Sequence, residues 1–469
     1  MTPAARLAAA IEVIDQVKAA RVPADEVLKA WGRAHRFAGS KDRKALAEIV
    51  YSAMRARARS SWAMDADDGR ALVLGSLRWG EGRPSDEIAA LFTGEAHAPE
   101  PLTAEETLRL ETLLDDAPGW VEAGVPEWIA GRLKIEFGEA WTAEAQAALM
   151  PRAPVDLRVN TLRGDVDGAL RLLEHEEVKP DRTGFSTLGL RLPPAFARDV
   201  QQLRAFTSGW IEVQDEGSQI VAALAGAKPG DMVIDYCAGG GGKTLALGAM
   251  LRQISAHPRG SGDPGSNGNA DADTKKAWVP ASAGMSGRLI ASDVNPKRLA
   301  AMRERLARAG VEAEVRKLGP EGEGMDDLVG QADLVFVDAP CSGSGTWRRH
   351  PESAWRLTPE AIDRLSALQA AILARAARLV KPGGRLIYVT CSLLDAENGA
   401  VAKAFAETHP DFAPRLVAEA AQTPLLTDHA RERLTALAQG GHSLQLTPHR
   451  TGTDGFFAAL FQRASRDPS

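Results

Sequence analysis

The sequence predicts an α/β fold with a mostly parallel, doubly wound sheet, preceded by an all-α unit and a small α+β unit. Three observations predict it. From about Trp210 onward, short apolar runs alternate with helical patterns, as strand–helix–strand units require. Residues 1–94 carry a helical apolar period with few strand signals. Between these regions, residues 118–206 combine helical stretches with the strand-like run VDLRVNTL.

The first unit, residues 1–94, opens with MTPAARLAAAIEVIDQVKAA, which reads as an amphipathic helix and lacks the layout of a signal peptide. In GSKDRKALAEIVYSAMRARARSS, Ser40 is placed as a cap before the next apolar-periodic helix. Arg55, Arg57 and Arg59 at its end suit the helix dipole. Residues 95–117 are acidic, contain proline and read as a linker with one short helix. Residues 118–206 form the small unit, with helices around PEWIAGRLKIEFG and TAEAQAALM. The large unit, residues 207–466, supplies the strands DMVIDYC (231–237), RLIASDV (288–294), EAEVRKL (312–318), ADLVFVDAP (332–340) and RLIYVTCS (385–392). Helices are expected from Thr244, from Pro296 and from Pro359 to Val380, and LQLTPHR and GFFAALFQR close the sheet. Residues 255–287 break this pattern. They are rich in Gly, Pro, Ser, Asp and Asn where a few residues suffice, and read as a low-complexity surface insertion.

The 469 residues are 44% hydrophobic and 25% charged, the balance of an ordinary soluble protein. No apolar run is long enough for a membrane span. Three cysteines without C-x-x-C spacing argue against a disulfide framework and against zinc, so a reducing cytoplasm and no metal are expected. Nothing demands more than a monomer. The net charge of −6 is unpromising for a nucleic-acid partner, but it is unevenly spread. Residues 1–60 hold 12 Lys/Arg against 6 Asp/Glu, while residues 61–150 hold 6 against 18. The N-terminal unit is therefore the part suited to phosphates.

Open α/β sheets bind ligands at the carboxyl ends of their strands. The first large-unit strand runs into Cys237-Ala238-Gly239-Gly240-Gly241-Gly242-Lys243-Thr244, and the second ends at Asp293, near Arg298. The fourth ends Asp338-Ala339-Pro340-Cys341, and the fifth ends Thr390-Cys391-Ser392. All three cysteines thus converge on one rim. A phosphate loop would need glycine at position 237, where Cys237 stands, and the G-x-G-x-x-G spacing is not completed either. Asp293 is placed to hold ribose hydroxyls. A nucleoside ligand with no required phosphate fits, and S-adenosyl-L-methionine is the expected cofactor. Cys341 and Cys391 are both chemically able to act as nucleophiles. Cys237 is read as support for the cofactor turn.

DYCAGGGGKT, DAPCSGSG and VTCSLLDAEN resemble the cofactor turn and paired cysteine motifs of the NOP/Sun family of RNA (cytosine-5)-methyltransferases. LRVNTLR, WIEVQDEGSQIVA, KPGGRLIYVTCS and TDGFFAALFQR extend the resemblance over roughly residues 118–465, the insertion excepted. The N-terminal GSKDRKALAEIVYSAMR resembles the NusB-like RNA-binding domain found in the bacterial small-subunit ribosomal RNA enzymes of this family. The resemblance implies a Rossmann-like methyltransferase core using S-adenosyl-L-methionine, with Cys391 as nucleophile and Cys341 assisting release. It implies Asp338 at the N3 and amino edge of the base, small-subunit ribosomal RNA as substrate, and 5-methylcytosine as product. The cofactor would be held by Cys237 through Lys243, Asp293, Arg298 and Asp338. RNA contacts are expected from Arg158, Asn160, Arg348, Arg349 and His350, with Trp347 beside them. Two departures stand out. Gly239 and Gly240 replace the family's Ala-Pro, which loosens the turn. Lys317-Leu318-Gly319-Pro320 lacks the acid often found after the third strand. A tRNA cytosine-5 methyltransferase and a non-catalytic RNA-binding assembly factor are the alternatives. The NusB-like segment opposes the first, and retention of both cysteines with Asp338 opposes the second.

Overall fold

A computed structural model describes residues 1–95, 97–194, 196, 198–251 and 286–465. The expected insertion at 255–287 lies outside the described residues except for Ser286 and Gly287.

The small sheet is built from β1 (Asp156–Val159), β2 (Asp181–Arg182), β3 (Gly189–Arg191) and β4 (Ile211–Val213), in the order β2-β3-β1-β4. The large sheet comprises β5 (Met232–Asp235), β6 (Arg288–Asp293), β7 (Glu314–Lys317), β8 (Ala332–Asp338), β9 (Val380–Thr390), β10 (Phe412–Pro414), β11 (Ser443–Leu446) and β12 (Phe456–Arg463). Its order is β10-β12-β9-β8-β5-β6-β7, with β11 also pairing β12. The run β9-β8-β5-β6-β7 is parallel, and β12 is antiparallel to its neighbours.

The central strands are apolar on both faces because helices cover both faces. Alternate residues go to opposite sides. Val233, Leu334 and Phe336 enter one core with the helices Glu216–Ala225 and Pro296–Ala309. Ile234, Val335 and Val337 enter the other, with the helix Pro359–Ala377. From β5 the chain winds outward through β6 and β7, then returns to β8 on the other flank. The switch point therefore lies between β5 and β8, where a ligand crevice is expected.

Strand limits depart from expectation at the site. β5 stops at Asp235 and β9 at Thr390, so Cys237 and Cys391 lie in the turns just beyond. The strand β10 and the helices Val417–Ala420 and Asp428–Leu437 were not anticipated from the apolar pattern.

The helices Pro3–Ala20, Ala24–Ala34, Ser40–Arg55, Arg57–Met64, Gly69–Gly75 and Ser85–Ala89 surround one N-terminal core. Ser40 is the first helical residue and makes no side-chain cap; Thr2 caps the first helix instead. Residues 95–117 are more than a linker. Leu110 is fully buried in the N-terminal core, and Glu106 of the helix Ala104–Arg109 pairs with Arg70. The expected 118–206 unit also divides. Its helices Gly119–Ala123, Glu127–Phe137 and Trp141–Leu149 share a core with Trp347, Ile362 and Leu393 of the large unit. The small sheet keeps its own core and takes β4 from beyond residue 206. No helix among the described residues is long and apolar enough to cross a membrane.

Candidate active site

Strand register explains how two cysteines fifty residues apart meet. In the parallel pair β8–β9, Asp338 lies opposite Val389. A few residues past each strand end, Cys341 Sγ and Cys391 Sγ lie 3.3 Å apart. The backbone behind them is tightly layered. Gly345 N donates to Cys391 O at 2.9 Å, and Gly455 N donates to Gly345 O at 2.8 Å. A Cβ on Gly345 would come within 2.2 Å of Gly455 O, so this approach requires glycine.

Lys243, at the start of the helix Gly242–Met250, connects this edge to the glycine turn. Its Nζ donates to Asp338 Oδ2 at 2.7 Å and sits 4.9 Å from the centre of the Phe456 ring. Burial opposes the ammonium charge, but Asp338 outweighs it and the Lys243 pKa is raised. Asp235 is wholly buried, and that burial pushes its carboxyl up to about 7 against a 2.6 Å hydrogen bond from Thr244 Oγ1. Among the described residues its Oδ1 has no hydrogen-bond partner. Burial, then Asp235, Asp338 and Asp293, push the Cys237 thiol well above its usual range. Cys237 is therefore an un-ionised wall of the cavity, a poor nucleophile.

The cavity at the switch point has a volume of about 980 Å³. Cys237, Ala238, Gly239, Gly240, Gly242, Lys243, Asp293, Arg298, Asp338, Cys341 and Cys391 all line it. Gly241 does not. Its φ is +83°, and a Cβ there would meet Met302 at 2.6 Å, so it shapes the turn from behind. The turn is held at several points. Asp293 accepts from Gly239 N at 2.9 Å, Arg305 Nη1 donates to Gly240 O at 2.6 Å, and Gln214 Nε2 donates to Gly242 O at 3.1 Å. Arg305 is itself paired with buried Glu212 of β4 at 2.9 Å. Arg305 and Gln214 were missed by sequence reasoning. The signal for Gln214 was its place in WIEVQDEGSQIVA; Arg305 sits in an ordinary helical pattern and gave none.

The expected RNA contacts need correction. Arg158 is 3% exposed and donates to Gln214 Oε1 at 2.7 Å, and burial lowers its pKa to about 10. Asn160 is 2% exposed and donates to Gly209 O and Ala309 O, both at 2.8 Å. All four residues of β1 are buried, so the polar positions face protein on both sides. Arg348 is buried against Asp454 at 2.9 Å, and half-buried Arg349 reaches Asp454 at 2.5 Å and Asp215 at 3.3 Å. Trp347 is completely buried. Of this set, His350 alone is exposed. The N-terminal arginines are also partly committed. Arg55 donates to Arg348 O at 3.0 Å, Arg57 lies 4.6 Å from the Trp355 ring centre, and Arg59 donates to Glu122 O at 3.2 Å. Ala24 N donates to buried Glu352 at 3.1 Å. The helical unit is thereby docked onto the segment that follows Cys341.

With this geometry in view, comparison with known proteins is decisive. Residues 272–462 match the family model described as 16S rRNA methyltransferase RsmB/F, and residues 125–198 match its ferredoxin-like domain. The ribosomal RNA small subunit methyltransferase B of Pseudomonas syringae pv. tomato is 31% identical over 354 residues, covering 74% of this chain and 68% of that one. This chain belongs to the ribosomal RNA small subunit methyltransferase B family. A probable member from Bacillus subtilis is 28% identical, covering 73% and 67% of the two chains. The crystal structure of PH0851 shares the fold with a TM-score of 0.69 at 24% identity, covering 99% of each chain. That of NSun6 from Pyrococcus horikoshii with SFG has a TM-score of 0.55 at 18% identity, covering 73% of this chain and 99% of that one.

As a member of this family the protein is a methyltransferase with a Rossmann-like core, and its cofactor is S-adenosyl-L-methionine. The residues present fit that group. At Gly239, with φ +54°, no atom of the described residues lies within 4 Å of where a Cβ would stand, leaving the backbone open to the cavity. Asp293 offers a carboxylate to ribose hydroxyls. The carboxyls of Asp293 and Asp338, which line the cavity, suit a ligand that carries a sulfonium and an ammonium.

Proposed function

We propose that this enzyme methylates C5 of a cytidine in small-subunit ribosomal RNA, with Cys391 as the covalent nucleophile. The 3.3 Å pairing of Cys391 with Cys341 beside Asp338 carries the reading. The substrate class follows the relatives, which are named for the small-subunit ribosomal RNA. The roles of the two sulfurs are those the resemblance implies, and the state of Cys341 supports them. The hydrogen bond to Cys391, and then burial, push the Cys341 thiol well above its ordinary range. A Cys341 thiol held in its protonated form is a poor nucleophile, which accords with a role in release rather than attack.

The target base leaves its stack to enter the cavity. Cys391 Sγ gives its proton to solvent and bonds to C6, and the electron pair of the C5–C6 double bond shifts to make C5 enamine-like. Asp338, ordered by Lys243, faces N3 and the amino group, and its carboxyl repels the O4 edge of uracil. Cofactor bound by Gly239, Gly240, Asp293 and Arg298 supplies an electrophilic methyl group. A solvent base reached beside Cys341 takes the C5 proton, the electron pair re-forms C5–C6, and the Cys391–C6 bond breaks with its pair returning to Cys391 Sγ.

A denaturing gel tests this with wild type, Cys341→Ala and Cys391→Ala, small-subunit ribosomal RNA and cofactor. A covalent protein–RNA band is expected only in Cys341→Ala. A band in Cys391→Ala instead reverses the roles. Methyl transfer to tRNA but not ribosomal RNA removes the substrate assignment.

A further inference from the structure

Glu397 hydrogen-bonds the residue that follows each of the two cysteines. It ends the short helical turn Asp395–Glu397 that follows the Cys391 loop, and it is 0% exposed. Its Oε1 accepts from Ser342 N at 2.8 Å and from Gln369 Nε2 at 3.0 Å. Its Oε2 accepts from Ser342 Oγ at 2.5 Å and from Ser392 Oγ at 2.6 Å. Ser342 follows Cys341 in the chain, and Ser392 follows Cys391. Gln369 also donates to Pro340 O at 2.9 Å, immediately before Cys341. One carboxylate therefore grips both neighbours of one cysteine, one of them through Gln369, and the following neighbour of the other.

The four donors are a backbone N–H, two hydroxyls and an amide, all neutral. Burying a carboxylate with neutral donors alone is costly, and a neutral side chain of the same shape is cheaper unless the geometry or the charge is used. Both have a use here. Each end of the short Cys341–Cys391 contact is a turn beyond a strand end, outside the strand ladder. The Glu397 charge also adds to the effects, led by the Cys391 hydrogen bond and burial, that keep the Cys341 thiol protonated. We infer that Glu397 is a positioning residue that clamps the two cysteine turns together, so that Cys341 is in place to resolve the bond Cys391 makes. This rests on the two-cysteine reading above.

The test uses full-length protein, S-adenosyl-L-methionine and a small-subunit ribosomal RNA transcript. Glu397→Ala, Glu397→Gln and Cys341→Ala are compared by adduct gel and by steady-state methyl transfer. In Glu397→Ala, turnover should fall about 100-fold, the scale of a 1 Å misplacement, with the covalent band accumulating as in Cys341→Ala. KM for the cofactor should stay within about twofold, because the cofactor turn is untouched. Glutamine keeps the shape and lets the serine hydroxyls turn round to accept, so Glu397→Gln should recover turnover to within about tenfold of wild type. Should Glu397→Ala not fold, Ser342→Ala with Ser392→Ala takes its place, and the double variant should show the same adduct with non-additive losses. An adduct in Cys341→Ala but none in Glu397→Ala or its serine substitute overturns the positioning role alone. Equal failure of Gln and Ala, with cofactor KM rising in step, also overturns it, since that is the signature of a general structural role. No adduct in Cys341→Ala overturns the two-cysteine reading itself.

Discussion

The two ends of the cavity are held in opposite ways. At the cysteine end, short turns are locked by a buried cluster of Ser342, Ser344, Ser392 and Glu397, with Gly345 and Gly455 stacked behind. At the cofactor end, the turn is a run of four glycines, and side chains reaching from other elements hold it. Asp293 comes from β6, Arg305 from the following helix, and Gln214 from the segment after β4. A bond-making site needs its atoms fixed before the substrate arrives. A cofactor turn needs its backbone open to a ligand that enters and leaves, and glycine provides this at a cost in conformational entropy. The clamps offset that cost. Lys243 belongs to both ends, starting in the turn and finishing on Asp338.

The comparison breaks most sharply at the cysteine end. Cys391→Ala should lower methyl transfer by at least about 10³-fold, because the covalent route is lost, while cofactor affinity by calorimetry stays unchanged. Lys243→Met should come next, at about 10²-fold in kcat, since Asp338 loses the cation that orders it. Wild-type kcat in that variant contradicts the bridge between the two ends.

A pH experiment separates burial from function. The Asp235 carboxyl sits at about 7 because burial penalises its charge. Its folded pKa lies above the unfolded value of 3.8, so it costs nothing below about pH 4 and destabilises the fold increasingly as pH rises through 7. Asp235→Asn cannot ionise. The variant should match wild type near pH 4 and exceed it by on the order of 4 kcal/mol near pH 8, read as the difference between thermal melts. A constant difference across that range excludes Asp235 as a buried ionisable group.

The cavity rim where the cysteines meet was legible in the sequence because it is local. Strand, turn and motif are contiguous at Asp235–Thr244, Asp338–Cys341 and Thr390–Ser392, and the strand-end rule places them together. The peripheral arginines were misread because burial is not local. A polar residue in a short strand reads as solvent-facing until a second layer covers it, as Gln214 covers Arg158 and the helix Pro296–Ala309 covers Asn160. Likewise, Arg348 and Arg349 look like phosphate ligands until Asp454, more than a hundred residues later, folds against them. Boundaries failed for the same reason. Leu110 belongs to the N-terminal core, and β4 to a sheet whose other strands end by Arg191.

The smallest effect is the most informative about the cofactor end. Arg305 joins Gly240 O to Glu212, so it links the turn to the small sheet. Arg305→Ala frees two adjacent glycines, which must be ordered again each time cofactor binds. Each glycine restrained in this way is worth about 0.4–1 kcal/mol, so cofactor Kd should rise about tenfold. At saturating cofactor, kcat should stay within about twofold, because the serine–glutamate cluster does not share these contacts. Arg305→Lys should not restore affinity, since a single ammonium does not reproduce the guanidinium fork that reaches both Gly240 O and Glu212. A fall in kcat with Kd unchanged places Arg305 in the hold on the cysteines, and the two ends are then one rigid unit rather than two.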